Sequence, residues 1–309
     1  MDISKWTTGL SWVGLAALSY LGFNITRQAT VYLLPCRLSR YNRSGANWAL
    51  VTGATDGIGF GFCEELCARG FNVILHGRNR EKLERRMRDT RQGLSSLMLW
   101  ARAKPVDGVA QQARGIIGAQ GKLTVLVNNV GGEMRSPTTL DAYTYAEVDA
   151  TIDRNARFMT HITRALLPLL SEGPGRSGLV LNVSAISQYG MPYISVYSAT
   201  KGFVDSFTRA LEAECNAEQR GVDVIGLRAR QVKTARFDVE TNLFVPLARP
   251  FAKAGLDRVG CGKVIVWAYF WHWVQGISFD ILPRWMLMHI TSKKLMALKK
   301  KEEKAFKSQ

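Results

Sequence analysis

The stretch Trp48-Ala49-Leu50-Val51-Thr52-Gly53-Ala54-Thr55-Asp56-Gly57-Ile58-Gly59 restricts the fold of this chain more than any other. Its apolar start reads as a buried strand, and its glycines as a tight turn. A helix pattern from Phe60 to Arg69 follows at once. Strand, glycine turn and helix in this order aim backbone N–H groups and the positive end of a helix dipole at one spot, which suits a phosphate. Gly53, Gly57 and Gly59 lack a Cβ, so the chain can turn sharply and approach a pyrophosphate. Their spacing is G-x-x-x-G-x-G, not the commoner G-x-G-x-x-G. Thr52, Thr55, Asp56 and Ile58 belong to the same turn and are candidate cofactor contacts beside the glycines.

The chain then alternates strands and helices. Asn72-Val73-Ile74-Leu75-His76-Gly77 reads as a second strand, and Ser96 to Trp100, Leu123 to Val127, Leu179 to Val183 and Val222 to Leu227 as four more. Helix patterns run from Glu81 to Arg91, Asp153 to Leu170 and Tyr197 to Cys215. This order predicts an α/β, doubly wound (Rossmann) parallel sheet with helices on both faces. In such a sheet the exit of the second strand lies over the adenosine ribose, where an acidic residue takes the 2′-hydroxyl of NAD. Here the exit carries Arg78. A guanidinium suits a 2′-phosphate, so NADP(H) is the expected cofactor. The plainer alternative is that Arg78, Arg80 and Lys82 only start a solvated basic helix. Asn128-Asn129-Val130-Gly131-Gly132 ends the fourth strand and allows close backbone approach by a ligand, with Asn128 a candidate contact.

Three regions are expected: 1–45 as an N-terminal membrane-associated segment, 46–235 as the catalytic Rossmann domain, and 236–309 as a lid with a C-terminal aromatic and basic extension. Thr7 to Ile25 carries no charge, and a membrane span needs ~20 apolar residues. A span or deep anchor is the favoured reading, and an amphipathic helix lying on a surface or on the domain is the other. Arg27, Arg37, Arg40 and Arg43 after the segment would keep the rest in the cytosol. Asn42-Arg43-Ser44-Gly45 reads as a linker. Val264 to Ile290 is rich in tryptophan, tyrosine and phenylalanine; it reads either as a core helix or as a membrane-contacting surface. The lysine-rich tail after it is a solvated run or a hold on anionic lipid, at ~1 kcal/mol per lysine near the surface. The formal net charge of +16 favours anionic partners. No nucleic-acid recognition module is visible, so nucleic acid is not an expected partner. The four histidines lack ligand spacing, which argues against a metal. The five scattered cysteines read as reduced core thiols.

The chemistry concentrates in Tyr197-Ser198-Ala199-Thr200-Lys201. Tyr197 and Lys201 are four apart in a helix pattern and share a face. A nearby ammonium favours the phenolate and lowers a tyrosine pKa from ~10. Such a tyrosine can protonate a carbonyl oxygen while a hydride reaches the carbon. Ser184, after the fifth strand, can hold that oxygen in place.

Together, Thr52-Gly53-x-x-x-Gly57-x-Gly59, Asn128-Asn129-Val130-Gly131, Asn155, Ser184, Tyr197 and Lys201 resemble the short-chain dehydrogenase/reductase family over residues 47–234. The resemblance implies that Tyr197 is the proton donor and Lys201 binds the nicotinamide ribose. It also implies that Ser184 orients the carbonyl and Asn155 holds a relay water. Thr234 matches the family threonine that hydrogen-bonds the nicotinamide carboxamide, and Val232 is a further candidate cofactor contact. The apolar N-terminus, Tyr-Ser-Ala-Thr-Lys and the tail after Pro246 are similar to the microsomal branch of very-long-chain 3-oxoacyl-CoA reductases and 17β-hydroxysteroid dehydrogenases of the type-12 kind. That branch implies NADPH and the endoplasmic reticulum membrane, with the catalytic domain facing the cytosol. The implied reaction is reduction of a lipid-like ketone, foremost a 3-oxoacyl-CoA in fatty-acid elongation. A sterol or specialised-metabolite ketone, and a catalytically silent NADPH-binding scaffold, are the alternatives. A homodimer is compatible with the resemblance.

Three departures stand out. The Asp-Val that usually follows the third strand is absent near Ala101-Arg102. The usual Pro-Gly after the sixth strand is replaced by Arg228-Ala229-Arg230-Gln231, so Arg228 and Arg230 are candidates to meet an anionic group. The second serine of the usual Ser-Ser is Ala185, which leaves Ser184 as first choice and Ser187 in reserve.

Overall fold

The computed structural model describes residues 3–43, 47–90, 96–100, 108–119, 121–132, 136–172, 177–235 and 237–307. Among the described residues seven parallel strands form one sheet: β1 (Asn47–Thr52), β2 (Asn72–Gly77), β3 (Ser96–Trp100), β4 (Lys122–Asn128), β5 (Gly178–Ala185), β6 (Val222–Ala229) and β7 (Ile265–Trp267). Their order is β3-β2-β1-β4-β5-β6-β7. The direction of winding reverses between β1 and β4, so a crevice opens at the carboxyl ends of those strands, where such sheets bind ligands.

β1 and β4 are near-continuous apolar runs because parallel strands are covered on both faces. Ala49, Val51, Leu181 and Val183 face a layer holding Phe62 and Leu66 of α2 (Gly57–Ala68) and Phe251 and Leu256 of α8 (Ala248–Asp257). Leu50 and Val180 face the opposite layer of α4 (Val109–Ile117), α6 (Phe158–Leu170) and α7 (Ser195–Ala217). α3 (Arg80–Thr90) and α5 (Tyr145–Ile152) complete the Rossmann part, and Thr144 and Glu147 cap α5 reciprocally. The doubly wound sheet expected from the sequence is therefore present.

Two elements were not legible. β7 extends the sheet past residue 235, where the sequence suggested only lid and aromatic helix; three residues are too few for a strand pattern to show. α8 forms within the stretch expected as a lid, although it contains Pro250. The proline sits in the first turn of α8, where its missing N–H breaks no helical bond.

The N-terminus is not a detachable segment. α1 (Ile3–Ala29) leads into a stretch whose Val31, Leu38 and Tyr41 enter the core. The Tyr32 hydroxyl donates to the Trp267 carbonyl at 3.0 Å, and the Arg37 N–H to Val259 at 2.9 Å. Trp273 donates its indole N–H to Gln28 at 3.0 Å. Arg40 and the Tyr41 hydroxyl both meet the Asp223 carboxylate. In the expected linker, Asn42 bonds back to Ser39, while Ser44 and Gly45 lie outside the described residues. α1 itself exposes Trp12, Val13, Leu18, Tyr20 and Phe23. Among the described residues no helix is long and apolar enough to cross a membrane, so the favoured span finds no support.

α9 (Phe270–Ile281) and α10 (Arg284–Lys307) close the chain. The two readings of the aromatic stretch divide: Trp267 and Trp273 are buried, whereas Trp285 is 73% exposed. Four cysteines are buried thiols as expected, but Cys36 is exposed. No metal-binding cluster occurs among the described residues.

Candidate active site

The turn from β1 into α2 is held from below. The Thr52 hydroxyl donates to the Val127 carbonyl at 3.2 Å and accepts the N–H groups of Asn129 and Val130 at 2.9 and 3.1 Å. The Asn129 amide donates back to the Thr52 carbonyl at 3.1 Å. Gly53 and Gly57 have φ of +68° and +56°, which side chains other than glycine rarely adopt. A Cβ on Gly59 would lie 2.2 Å from the Gly53 carbonyl oxygen. The glycines thus leave a shallow cradle that carries no side chain of its own at Gly53, Gly57 and Gly59. Asp56 caps α2 by accepting the Gly57 N–H at 2.7 Å. Thr55, Asp56 and Ile58 line this turn with the glycines.

The loop after β6 forms the other wall. Thr234 packs against Gly57: a Cβ there would be 3.0 Å from its methyl group. Its backbone N–H donates to Phe237 at 3.1 Å, and Val232 is buried beneath. Asp56, Gly57, Phe60, Lys233, Thr234 and Leu247 surround a cleft of about 450 Å³. Arg78 stands exposed at the exit of β2. Asn128 turns inward instead: its amide donates to Thr163 and Asn182, both at 2.8 Å. Like Thr52, its side chain ties strands together rather than facing the cleft.

Arg86 also belongs to this wall, although nothing distinguishes it in sequence from the neighbouring basic residues of α3. It donates to the Thr55 carbonyl at 3.2 Å, meets the Asp56 carboxylate at 3.4 Å, and covers the Phe60 ring at 4.4 Å.

The second cluster is at the carboxyl ends of β4 and β5. α7 starts at Ser195, so Tyr197 and Lys201 lie one turn apart in its first turns. The Lys201 ammonium is 5.8 Å from the Tyr197 ring centroid and donates to the Val183 carbonyl at 2.9 Å. Burial pushes the Lys201 pKa down to about 8, and the carboxylate of Asp205 opposes that fall. Gly131 connects Lys201 to Asn155: a Cβ on it would lie 2.8 Å from Asn155 Oδ1 and 3.3 Å from Lys201 Nζ. The Asn155 side chain accepts the Gly132 N–H at 2.8 Å and donates to the Thr151 carbonyl at 2.9 Å. It sits in a π-turn, Asp153–Arg157, that interrupts the helix expected over this stretch. Such turns are frequent at functional sites.

Ser184 and Ser187 are both buried, and neither hydroxyl has a hydrogen-bond partner among the described residues. A buried hydroxyl without a partner costs ~1–3 kcal/mol, which a ligand oxygen can relieve. The structure therefore brings Tyr197, Lys201, Asn155 and Ser184 to the edge of the sheet that also carries the glycine cradle.

The short chain dehydrogenase family model matches residues 47–242. The chain belongs to the short-chain dehydrogenase family. With that family it is an oxidoreductase that works with a nicotinamide dinucleotide. It is 33% identical to the very-long-chain 3-oxoacyl-CoA reductase of Caenorhabditis elegans, over 96% of each chain. To the very-long-chain 3-oxoacyl-CoA reductase of Mus musculus it is 30% identical, over 91% of each. Among solved structures, a short-chain dehydrogenase from Sphingobium yanoikuyae in complex with NADPH superposes with a TM-score of 0.62 at 21% identity, covering 76% of this chain and 92% of that one.

Two sequence expectations change in this short-chain dehydrogenase. Arg228 is neutralised within the protein: its guanidinium donates twice to the buried Asp205 carboxylate, at 2.7 and 3.0 Å, and once to the Tyr189 hydroxyl at 3.1 Å. In place of the Pro-Gly turn, the backbone after β6 is held by His272. Its Nδ1 accepts the Arg230 N–H at 3.2 Å, and its Nε2 lies 3.1 Å from the Gln231 carbonyl. The Asp-Val departure at Ala101-Arg102 lies outside the described residues.

Proposed function

We propose that this protein reduces the ketone of a 3-oxoacyl-CoA with NADPH, at the surface of the endoplasmic reticulum membrane and on its cytosolic side. The observation that carries the reading is the convergence of Tyr197, Lys201, Asn155 and an unpartnered Ser184 hydroxyl beside a glycine cradle. The names of the relatives supply the acyl-CoA class.

The cradle fits a dinucleotide, because side chains are missing where a pyrophosphate must approach. Gly53, Gly57, Gly59 and the α2 amino end would hold the phosphates, with Thr55, Asp56 and Ile58 shaping the turn. Arg78 would take the 2′-phosphate, and Lys201 the ribose beside the nicotinamide. Val232 and Thr234 would cover the carboxamide end. Thr52 and Asn128 serve by fixing the strand ends. The cofactor, when bound, supplies the hydride.

The protein's own residues do the rest. Ser184, in preference to Ser187, donates its free hydroxyl to the substrate carbonyl oxygen. Tyr197 gives its phenolic proton to that oxygen as negative charge develops. The Lys201 ammonium stabilises the phenolate left behind, and Asn155 holds the water through which Tyr197 is reprotonated. The apolar side chains of α1 and the basic α10 lie on the membrane surface rather than crossing it.

The test is NADPH oxidation by the detergent-solubilised protein with a long-chain 3-oxoacyl-CoA, beside Tyr197→Phe. Turnover in the wild type and its loss in the variant, with NADPH still bound, is the expected result. Reduction of a sterol ketone but of no 3-oxoacyl-CoA would replace the substrate class. NADPH binding without turnover of any ketone would make the protein a scaffold.

A further inference from the structure

Among the described residues Arg230 is a cation without a counterion, one residue past the end of β6. It follows Ala229, which pairs in register with Ala185 of β5, so it stands beside the strand end that carries Ser184. The imidazole of His272 holds the backbone here at two adjacent residues, the N–H of Arg230 and the carbonyl of Gln231. The two contacts fix one tautomer, with Nδ1 accepting and Nε2 donating. Burial holds the His272 pKa down to about 4, so the clamp stays neutral near pH 7.

The guanidinium carbon of Arg230 lies 5.9 Å from the Phe279 ring centroid. Phe279 in turn stacks on Tyr189, from the loop that follows Ser184, at 5.2 Å. Arg230 therefore sits between the roof helix α9 and the serine loop. Among the described residues no carboxylate is within ion-pairing distance of it, and its side chain makes no hydrogen bond to them. Burial pulls its pKa below the ordinary arginine value. Arg228, two residues earlier, shows the contrast, because Asp205 neutralises it. A half-buried guanidinium with five donors and no acceptor is unfavourable until an acceptor arrives.

A 3-oxoacyl thioester brings two oxygens two carbons apart. If the ketone oxygen meets Ser184 and Tyr197, the thioester oxygen is the second acceptor. We propose that Arg230 is a substrate-specificity residue whose guanidinium binds the thioester carbonyl oxygen beside the ketone being reduced. The proposal rests on the reductase reading above for the identity of that oxygen. The rival source of the same chemistry is an anionic group of the cofactor.

The experiment uses the full-length, detergent-solubilised protein with Arg230→Met. Binding of 3-oxodecanoyl-CoA is measured on the complex with NADP⁺, which cannot reduce it; NADPH binding is measured separately by fluorescence. Then kcat/KM is compared for 3-oxodecanoyl-CoA and for 2-undecanone, a ketone with no thioester. Loss of a hydrogen bond to a charged group predicts a 10–100-fold weaker thioester binding and kcat/KM. 2-Undecanone turnover and NADPH affinity are expected to stay within about twofold, since neither uses that bond. An equal loss on both ketones, or a loss of NADPH affinity, overturns the proposal, as does wild-type protein that binds no 3-oxodecanoyl-CoA. Wild-type protein that binds this thioester through Arg230 but does not reduce it upholds the subsite and overturns the reductase reading. If Arg230→Met unfolds, Arg230→Gln is judged on the same readouts.

Discussion

Gly59→Ala tests whether the cradle is shaped by contact. The added methyl would be 2.2 Å from the Gly53 carbonyl oxygen and 2.5 Å from the Asn129 amide nitrogen. An ordinary carbon–oxygen contact is roughly 3.3 Å, so the turn must open by about 1 Å. Gly53 is held by its own positive φ and Asn129 by Thr52, so neither yields freely. Overpacking of this kind costs about 1–3 kcal/mol, here in the upper half because backbone must move. Alanine recovers about 1 kcal/mol of helix propensity over glycine. The net expectation is a loss of about 1–2 kcal/mol in urea unfolding. A displaced cradle also loses at least one N–H bond to a phosphate, about tenfold or more in NADPH affinity. Gly115→Ala is the control. Gly115 lies in α4 with nothing within 4 Å of where a Cβ would stand, so it should gain about 0.5–1 kcal/mol and leave NADPH binding unchanged. Wild-type stability and wild-type NADPH affinity in Gly59→Ala would refute the reasoning.

Asp205→Leu leaves the Arg228 guanidinium without its buried carboxylate partner and should cost about 3–5 kcal/mol in chemical denaturation; combining it with Arg228→Met should recover most of that. His76 is buried and burial pushes its pKa down to about 4, below the unfolded 6.5. The unfolded chain therefore takes up the proton first as the pH falls, and stability is lost between pH 6.5 and 4, on the order of 3 kcal/mol at most; this fall should flatten in His76→Leu when unfolding is followed across that range. Arg78→Ala should weaken NADPH binding at least about tenfold while leaving NADH nearly unchanged, and an equal effect on both would remove Arg78 from the 2′-phosphate.

The fold class was legible because its signals are local. The β1 run, its glycine turn and the helix behind it lie within 22 residues, and the strands announce themselves by continuous apolar runs. Tyr197 and Lys201 were legible for the same reason, being one helical turn apart. Long-range partners carry no such signal. Arg228 looked like a ligand contact in sequence, and only the packing of α7 against β6 shows that Asp205 neutralises it. Asn128 looked like a cofactor contact, and only the sheet shows it bonded to Thr163 and Asn182. The N-terminal segment read as a separate unit, because nothing local reveals that Tyr32 and Tyr41 bond to Trp267 and Asp223.

By itself, then, the sequence determined the alternation of strand and helix, the cradle and the tyrosine–lysine pair, since periodicity and short spacing act along the chain. Tertiary structure decided which charges are neutralised, which hydroxyls stay free and where the N-terminus docks. Those outcomes depend on residues up to 245 positions apart being brought within hydrogen-bond reach, and burial then makes an unmet partner costly enough to matter.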